Sequence, residues 1–121
     1  MLTLPITQEW LHMIVTGEKL EEYREIKPYW TKRLQTIGLL DENENPTLKT
    51  TNIALRNGYG RDAAEAVVRV TIKKSTGRKE WGAKPGEVYY VLRIREIITT
   101  SSNLNQLIQS SRTQRQRLFG G

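Results

Sequence analysis

Gly17-Glu18-Lys19-Leu20-Glu21-Glu22-Tyr23-Arg24 is the stretch around which the chain is organised. Immediately upstream, residues 7–16 carry Trp10, Leu11, Ile14 and Val15 at the i, i+3, i+4 spacing of a buried helical face. Thr7 suits the N-cap, and Glu9 falls in the first turn, where the helix dipole favours an anion. Gly17 follows the last periodic residue, where a left-handed C′ position ends a helix. The chain after it is expected to be extended. Alternate side chains of a strand share a face. Leu20, Glu22, Arg24 and Ile26 then point one way, and Glu21, Tyr23 and Glu25 the other.

This alternation sets an acid beside a base on a face flanked by Leu20 and Ile26. A half-buried carboxylate needs a partner, and a guanidinium is the best available. Two readings stay open at this point. One is a structural ion pair stitching a small barrel. The other is the charged floor of a cleft, with Lys19 exposed at its rim.

Residues 2–6 form a short apolar run, read as a first strand. Pro28 suits the first position of a second helix over residues 28–37, since its missing N–H costs nothing there. Trp30, Leu34 and Ile37 make its apolar stripe, with Lys32 and Arg33 facing water. Residues 38–51 contain Asp41-Glu42-Asn43-Glu44-Asn45-Pro46, an acidic, proline-ended solvated insert. Its spacing does not follow a calcium-loop pattern. Residues 51–56 read as a strand with Ile53 and Leu55 on one face. Asn57-Gly58-Tyr59-Gly60-Arg61 breaks that strand, and Arg56 and Arg61 flank the break as candidate anion contacts.

Residues 65–73 read as the next strand, with Ala66, Val68, Val70 and Ile72 inward. Residues 75–79 make a basic turn. Residues 87–99 form the longest strand, with Val88, Tyr90, Leu92 and Ile94 inward and Tyr89, Val91, Arg93 and Arg95 outward. Antiparallel pairing of these two strands would gather Arg69, Lys73, Arg93 and Arg95 on one basic face. Like charges directly opposite one another repel, so such a face invites an anionic partner or neighbouring acids. From residue 100 the composition turns polar and basic. Leu104, Leu107 and Ile108 mark a short amphipathic helix, followed by Arg112, Arg115 and Arg117. Whether this tail docks on the barrel, swaps to another subunit or adds phosphate contacts is left open.

The 121 residues suffice for one domain with a modest core. Hydrophobic residues make up 37%, which excludes disorder by composition. There is no cysteine, hence no disulfide and no thiolate metal site. Without an apolar N-terminal run, neither a signal peptide nor a membrane span is expected, and the cytoplasm is the expected location. The net charge of +6 favours polyanions. The excess is local: residues 66–95 hold eight basic side chains against two acidic ones.

Catalytic machinery is sparse. The single histidine, His12, lies inside the first helix and reads as a helix-surface or core residue. No Ser–His–Asp or Cys–His system is evident. Glu21 and Glu22 are adjacent on a strand, face opposite sides and cannot act as a dyad. No P-loop, dinucleotide fingerprint or metal-ligand set is present, so no cofactor and no metal are expected.

The spacing Gly17-x-Lys19-x-x-Glu22-x-Arg24 after a short helix resembles the signature of the ASCH domains, small proteins related to the PUA fold. The order strand, helix, motif strand, insert and three later strands is similar to that family over residues 1–99, leaving residues 100–121 as the tail. Gly58-Tyr59-Gly60 and Trp81-Gly82-Ala83-Lys84-Pro85-Gly86 also resemble small bacterial and phage members. The resemblance implies an α+β fold, a small PUA-like β-barrel with two flanking helices. It implies binding of RNA, other single-stranded nucleic acid or a nucleotide in a cleft around Lys19, Glu22 and Arg24. Arg56, Tyr59 and Arg61 would form a second wall, with Arg69, Lys73, Arg93 and Arg95 as further contacts. Tyr59 or Trp81 would stack a base, unless Trp81 packs under the barrel end. Some family members are similar to amidohydrolases on acylated cytidines, in which the motif lysine works with a threonine where this chain has Glu22, and with a later glutamate. Others are associated with ribonuclease activity, for which Lys19, Glu22, Arg24 and Tyr59 would be the catalytic set.

Overall fold

The computed structural model describes residues 1–106. Thr7 caps the first helix, α1 (Gln8–Val15), its hydroxyl accepting from the Trp10 N–H. Leu11, Ile14 and Val15 are buried, and Trp10 is partly buried against the same core. Gly17 follows with φ +84°, the left-handed torsion that glycine adopts without a Cβ penalty. Before α1 lies the strand β1 (Thr3–Pro5), and after it the motif strand β2 (Glu21–Glu25). The helix α2 (Pro28–Thr36) has its proline at the first turn, as the sequence predicts. Leu34 is fully buried on it, while Trp30 and Ile37 are only partly so.

Three strands follow: β3 (Thr51–Asn57), β4 (Ala64–Thr76) and β5 (Val88–Thr100). They form one mixed sheet in the order β1-β3-β4-β5-β2, with β1 parallel to β3 and the other pairs antiparallel. β1 and β2 are therefore its opposite edges. The sheet curls so strongly that Arg24 on β2 donates to the Pro5 carbonyl on β1 at 2.6 Å. The architecture is an α+β half-barrel whose two edges face each other across a seam.

The inward residues of β4 and β5 are largely those expected. Val68, Val70, Tyr90 and Leu92 are fully buried in one core with Ile14, Leu34 and Leu55. Two expectations fail, however. Val88 is half exposed, because β5 begins there at the sheet's end. Tyr89 and Val91, placed outward by alternation, are buried in a second, smaller cluster with Tyr23, Trp81 and Ala83. The residues between β4 and β5, which include a 3-10 turn (Lys79–Trp81), fold back over this side of the sheet. Strand alternation predicts one dry face only when nothing covers the other.

The insert is also more ordered in its contacts than a solvated loop. Leu39 and Leu40 are buried in the main core, and Leu40 bridges Pro46. Asp41 Oδ1 accepts from the N–H groups of Asn43 and Asn45, closing the acidic tip. Residues 102–106 are helical and bury Leu104 in the core. Leu107, Ile108, Arg112, Arg115 and Arg117 lie outside the described residues. No described helix is long and apolar enough to cross a membrane.

Candidate functional site

The motif residues close the seam. Lys19 is not at a rim: it has no exposed surface at all. Its Nζ donates to the Glu21 carbonyl at 2.6 Å and the Trp81 carbonyl at 3.0 Å, and lies 3.0 Å from Glu22 Oε1. The Trp10 and Tyr23 rings flank the ammonium at 5.2 and 5.0 Å. Burial holds the Lys19 ammonium below its ordinary pKa, and the neighbouring Glu22 carboxylate opposes that shift. The backbone explains the position. The Glu18 and Lys19 N–H groups both return to the Met13 carbonyl, so the chain turns inward before β2 begins.

Glu22 joins two cations. Its Oε2 lies 3.2 Å from Arg24 Nη1, opposite the oxygen that meets Lys19. Arg24 also donates to the Tyr23 carbonyl at 2.7 Å. β2 is an edge strand, and the carbonyls of Glu21 and Tyr23 are thus capped by side chains, not by a further strand. Leu20 and Ile26, expected to flank this pair with an apolar face, are both exposed. Glu22 and Arg24 instead meet Lys19, the Pro5 carbonyl of β1 and the Trp30 ring of α2.

Above the triad the seam opens into a cavity of about 460 Å³. Its floor includes Glu22 and Arg24. Its walls include Trp10 from α1, Trp30 from α2 and Trp81 from the 3-10 turn, which are all the tryptophans of the chain. Arg24 lies over the Trp30 ring at 5.3 Å. Trp81 is nearly buried and its indole N–H donates to the Glu18 carbonyl at 3.0 Å, so one edge of it packs under the barrel end. Gly82 follows it with φ +97°, and a Cβ there would lie 3.2 Å from the Trp10 ring. Lys27 and Lys84, both exposed, line the same cavity.

Tyr23 lies beneath. Its hydroxyl donates to Glu21 Oε1 and accepts from the Arg78 N–H, each at 2.9 Å. Burial pushes its pKa up to about 12.

The other expected residues divide into three places. Arg56 is committed to its own loop: it pairs with Glu65 at 2.7 Å and donates to the carbonyls of Gly58 and Gly60. Tyr59 and Arg61 are exposed beyond it, outside the seam cavity. The basic face of β4 and β5 is partly neutralised. Val70 pairs with Ile94, and that register continued would set Arg69 against Arg95. A bulge intervenes and Arg69 instead opposes Glu96, with an ion pair at 2.7 Å. Glu21 Oε2 lies 3.5 Å from Lys73 and 3.8 Å from Arg93. Arg95 is left at the bulge, donating to Thr71 Oγ1 at 2.9 Å. Thr71, Lys73, Arg93 and Arg95 line a separate cavity of about 410 Å³ on that face.

The convergence of Trp10, Trp30 and Trp81, with Lys27 and Lys84 beside them, has no signature in the sequence, because the five come from three segments far apart in the chain. The fold and site define an α+β half-barrel with an aromatic, charge-floored cleft at its open seam. No family model matches the chain, and neither does any curated protein or solved structure.

Proposed function

We propose that this is a PUA-like domain of ASCH type that binds single-stranded nucleic acid, RNA in the first instance, by seating an unpaired base in the seam cleft. The observation that carries the reading is the meeting of all three tryptophans around one cavity with ample room for a base. Aromatic walls accept the face of any base, and such stacking contributes roughly 1–3 kcal/mol per base. Glu22 and Arg24 at the floor offer acceptors and donors to a base edge. Lys27 and Lys84 offer charge to the flanking phosphates, and Lys73, Arg93 and Arg95, in the separate cavity on the face of β4 and β5, offer further cations to a longer strand. The element order and the motif both support the family reading.

A hydrolase built on Lys19 is less well supported. That ammonium already meets three oxygens and has no accessible surface, so it reaches no substrate atom in this arrangement.

Titrating the protein with single-stranded RNA and single-stranded DNA while following tryptophan fluorescence tests the reading. Saturable quenching is expected, with an affinity that falls steeply as salt rises. Oligonucleotide binding that leaves the tryptophan emission untouched would move the ligand out of the cleft, and absence of binding at low salt would end the proposal.

A further inference from the structure

A third cavity, also of about 410 Å³, adjoins the seam cleft, and Pro5 and Ile6 line both. On the far side of that shared wall stand Tyr29 and Tyr59. Tyr29 precedes Trp30 on α2, and the two rings touch edge to face at 4.7 Å. One of the pair therefore lines each cavity. The Arg33 guanidinium lies over Tyr29 at 3.4 Å, which fixes that ring although more than half of the residue is exposed.

Tyr59 is 97% exposed, an unusual cost for a large aromatic that serves no core. Its loop is nevertheless pinned. Arg56 grips the carbonyls on both sides of it, Gly58 and Gly60, and Asn57 Nδ2 donates to the Ile6 carbonyl at 2.8 Å. Gly58 takes φ +100°, a torsion that lets the chain reverse under the ring. An exposed aromatic on a clamped loop is preorganised to stack on something flat.

We infer that the Tyr29–Tyr59 cavity is a second stacking subsite, which takes the base adjacent to the one held in the seam cleft. The inference rests on the base-binding reading of that cleft. It makes the natural ligand at least a dinucleotide unit of a single strand, not a free nucleotide. Arg61, exposed in the same loop, is placed to meet the strand's phosphates.

The test compares a nucleoside monophosphate of each base with the matching homodinucleotide, by calorimetry and by tryptophan quenching. A dinucleotide with one bridging phosphate carries less charge than a monophosphate, so tighter binding reports the second base and not electrostatics. The parent protein should bind dinucleotides about tenfold tighter than monophosphates, the scale of one base–aromatic stack. Tyr59→Ala should abolish that gain and leave monophosphate affinity unchanged, while Tyr59→Phe should keep it. A parent without the gain, or a Tyr59→Ala protein that retains it, would overturn the second subsite and leave the cleft reading standing. Monophosphates that neither bind nor quench would overturn the cleft reading and this inference together.

Discussion

The seam triad and the basic face of β4 and β5 use the same residue types in one small sheet. They differ in what surrounds the charge. Lys19, Glu22 and Arg24 are buried or nearly so, and they pair with one another and with the carbonyls of Pro5, Glu21, Tyr23 and Trp81. Arg69, Lys73 and Arg95 are exposed; Arg69 pairs with Glu96 at 2.7 Å, Lys73 lies 3.5 Å from Glu21, and Arg95 meets Thr71 Oγ1. A charge taken out of water must be satisfied by its surroundings, so the triad serves the fold first and shapes the cleft through it. An exposed cation is already solvated, so it is free to exchange water for phosphate. Stability therefore rests chiefly on the triad, and the basic face is the one whose cations are free for phosphate contacts.

The largest effect should come from the triad. Lys19→Ala removes the donor to two buried carbonyls and leaves Glu22 with one cation instead of two. Breaking a buried pair of this kind costs about 3–5 kcal/mol. Denaturant unfolding of Lys19→Ala should therefore show a loss of that size, and Glu22→Gln a comparable one. On an exposed rim, as the sequence alone suggests for Lys19, the substitution would stay within about 0.5 kcal/mol. A Lys19→Ala protein as stable as the parent would dissolve the distinction between the two clusters.

Packing beneath the triad should give the next effect. A Cβ on Gly77 would lie 2.5 Å from Tyr23 Cζ and 2.8 Å from Ala83 Cβ. Overpacking of this kind costs about 1–3 kcal/mol. Gly77→Ala should lower the melting temperature accordingly, and an unchanged melt would mean that the Tyr23 ring has room to move.

Alkaline pH probes the same layer with a definite sign. The folded-state pKa of Tyr23 is raised to about 12 from its ordinary 10.0. The folded protein thus holds this proton where the unfolded chain has lost it, and the stability Tyr23 contributes is present below pH 10 and lost as pH rises towards 12. Lys19 has the opposite sign. Its pKa is lowered on folding, so the unfolded chain holds more protons just below the ordinary lysine value, and stability rises with pH there. Unfolding free energy measured across this range should fall less steeply in Tyr23→Phe than in the parent. Equal slopes would remove Tyr23 from the account.

The elements were legible because their signals are local. Thr7, Gly17 and Pro28 mark helix ends through their own torsions and hydrogen bonds, and Val68, Val70, Tyr90 and Leu92 follow strand alternation into the core. The site was less legible because its determinants are distant in sequence. Lys19 reads as a rim residue, since nothing beside it announces that Trp81 will supply a carbonyl. Tyr89 and Val91 read as outward, since the turn that covers them lies several residues away. The expected clash on the basic face disappears through a bulge that shifts Arg69 from Arg95 to Glu96, and no composition signals it. Arg56 reads as an anion contact but is consumed by its own loop.

Arg95 gives the smallest effect and the sharpest division between the clusters. It sits at the bulge, is exposed, and has Thr71 Oγ1 as its near partner. Truncating it opens no cavity and strands no buried charge. Arg95→Ala should therefore change unfolding free energy by no more than about 0.5 kcal/mol, as for most surface substitutions. If the residue contacts one phosphate of a single strand, its loss should reduce the slope of log affinity against log salt by about 0.7. Affinity should weaken to a similar degree across sequences, because a phosphate contact reads no base. A destabilised Arg95→Ala protein would make the basic face structural like the seam. An unchanged salt slope would confine nucleic-acid contacts to the rim of the cleft, where Lys27 and Lys84 are the cations to replace next.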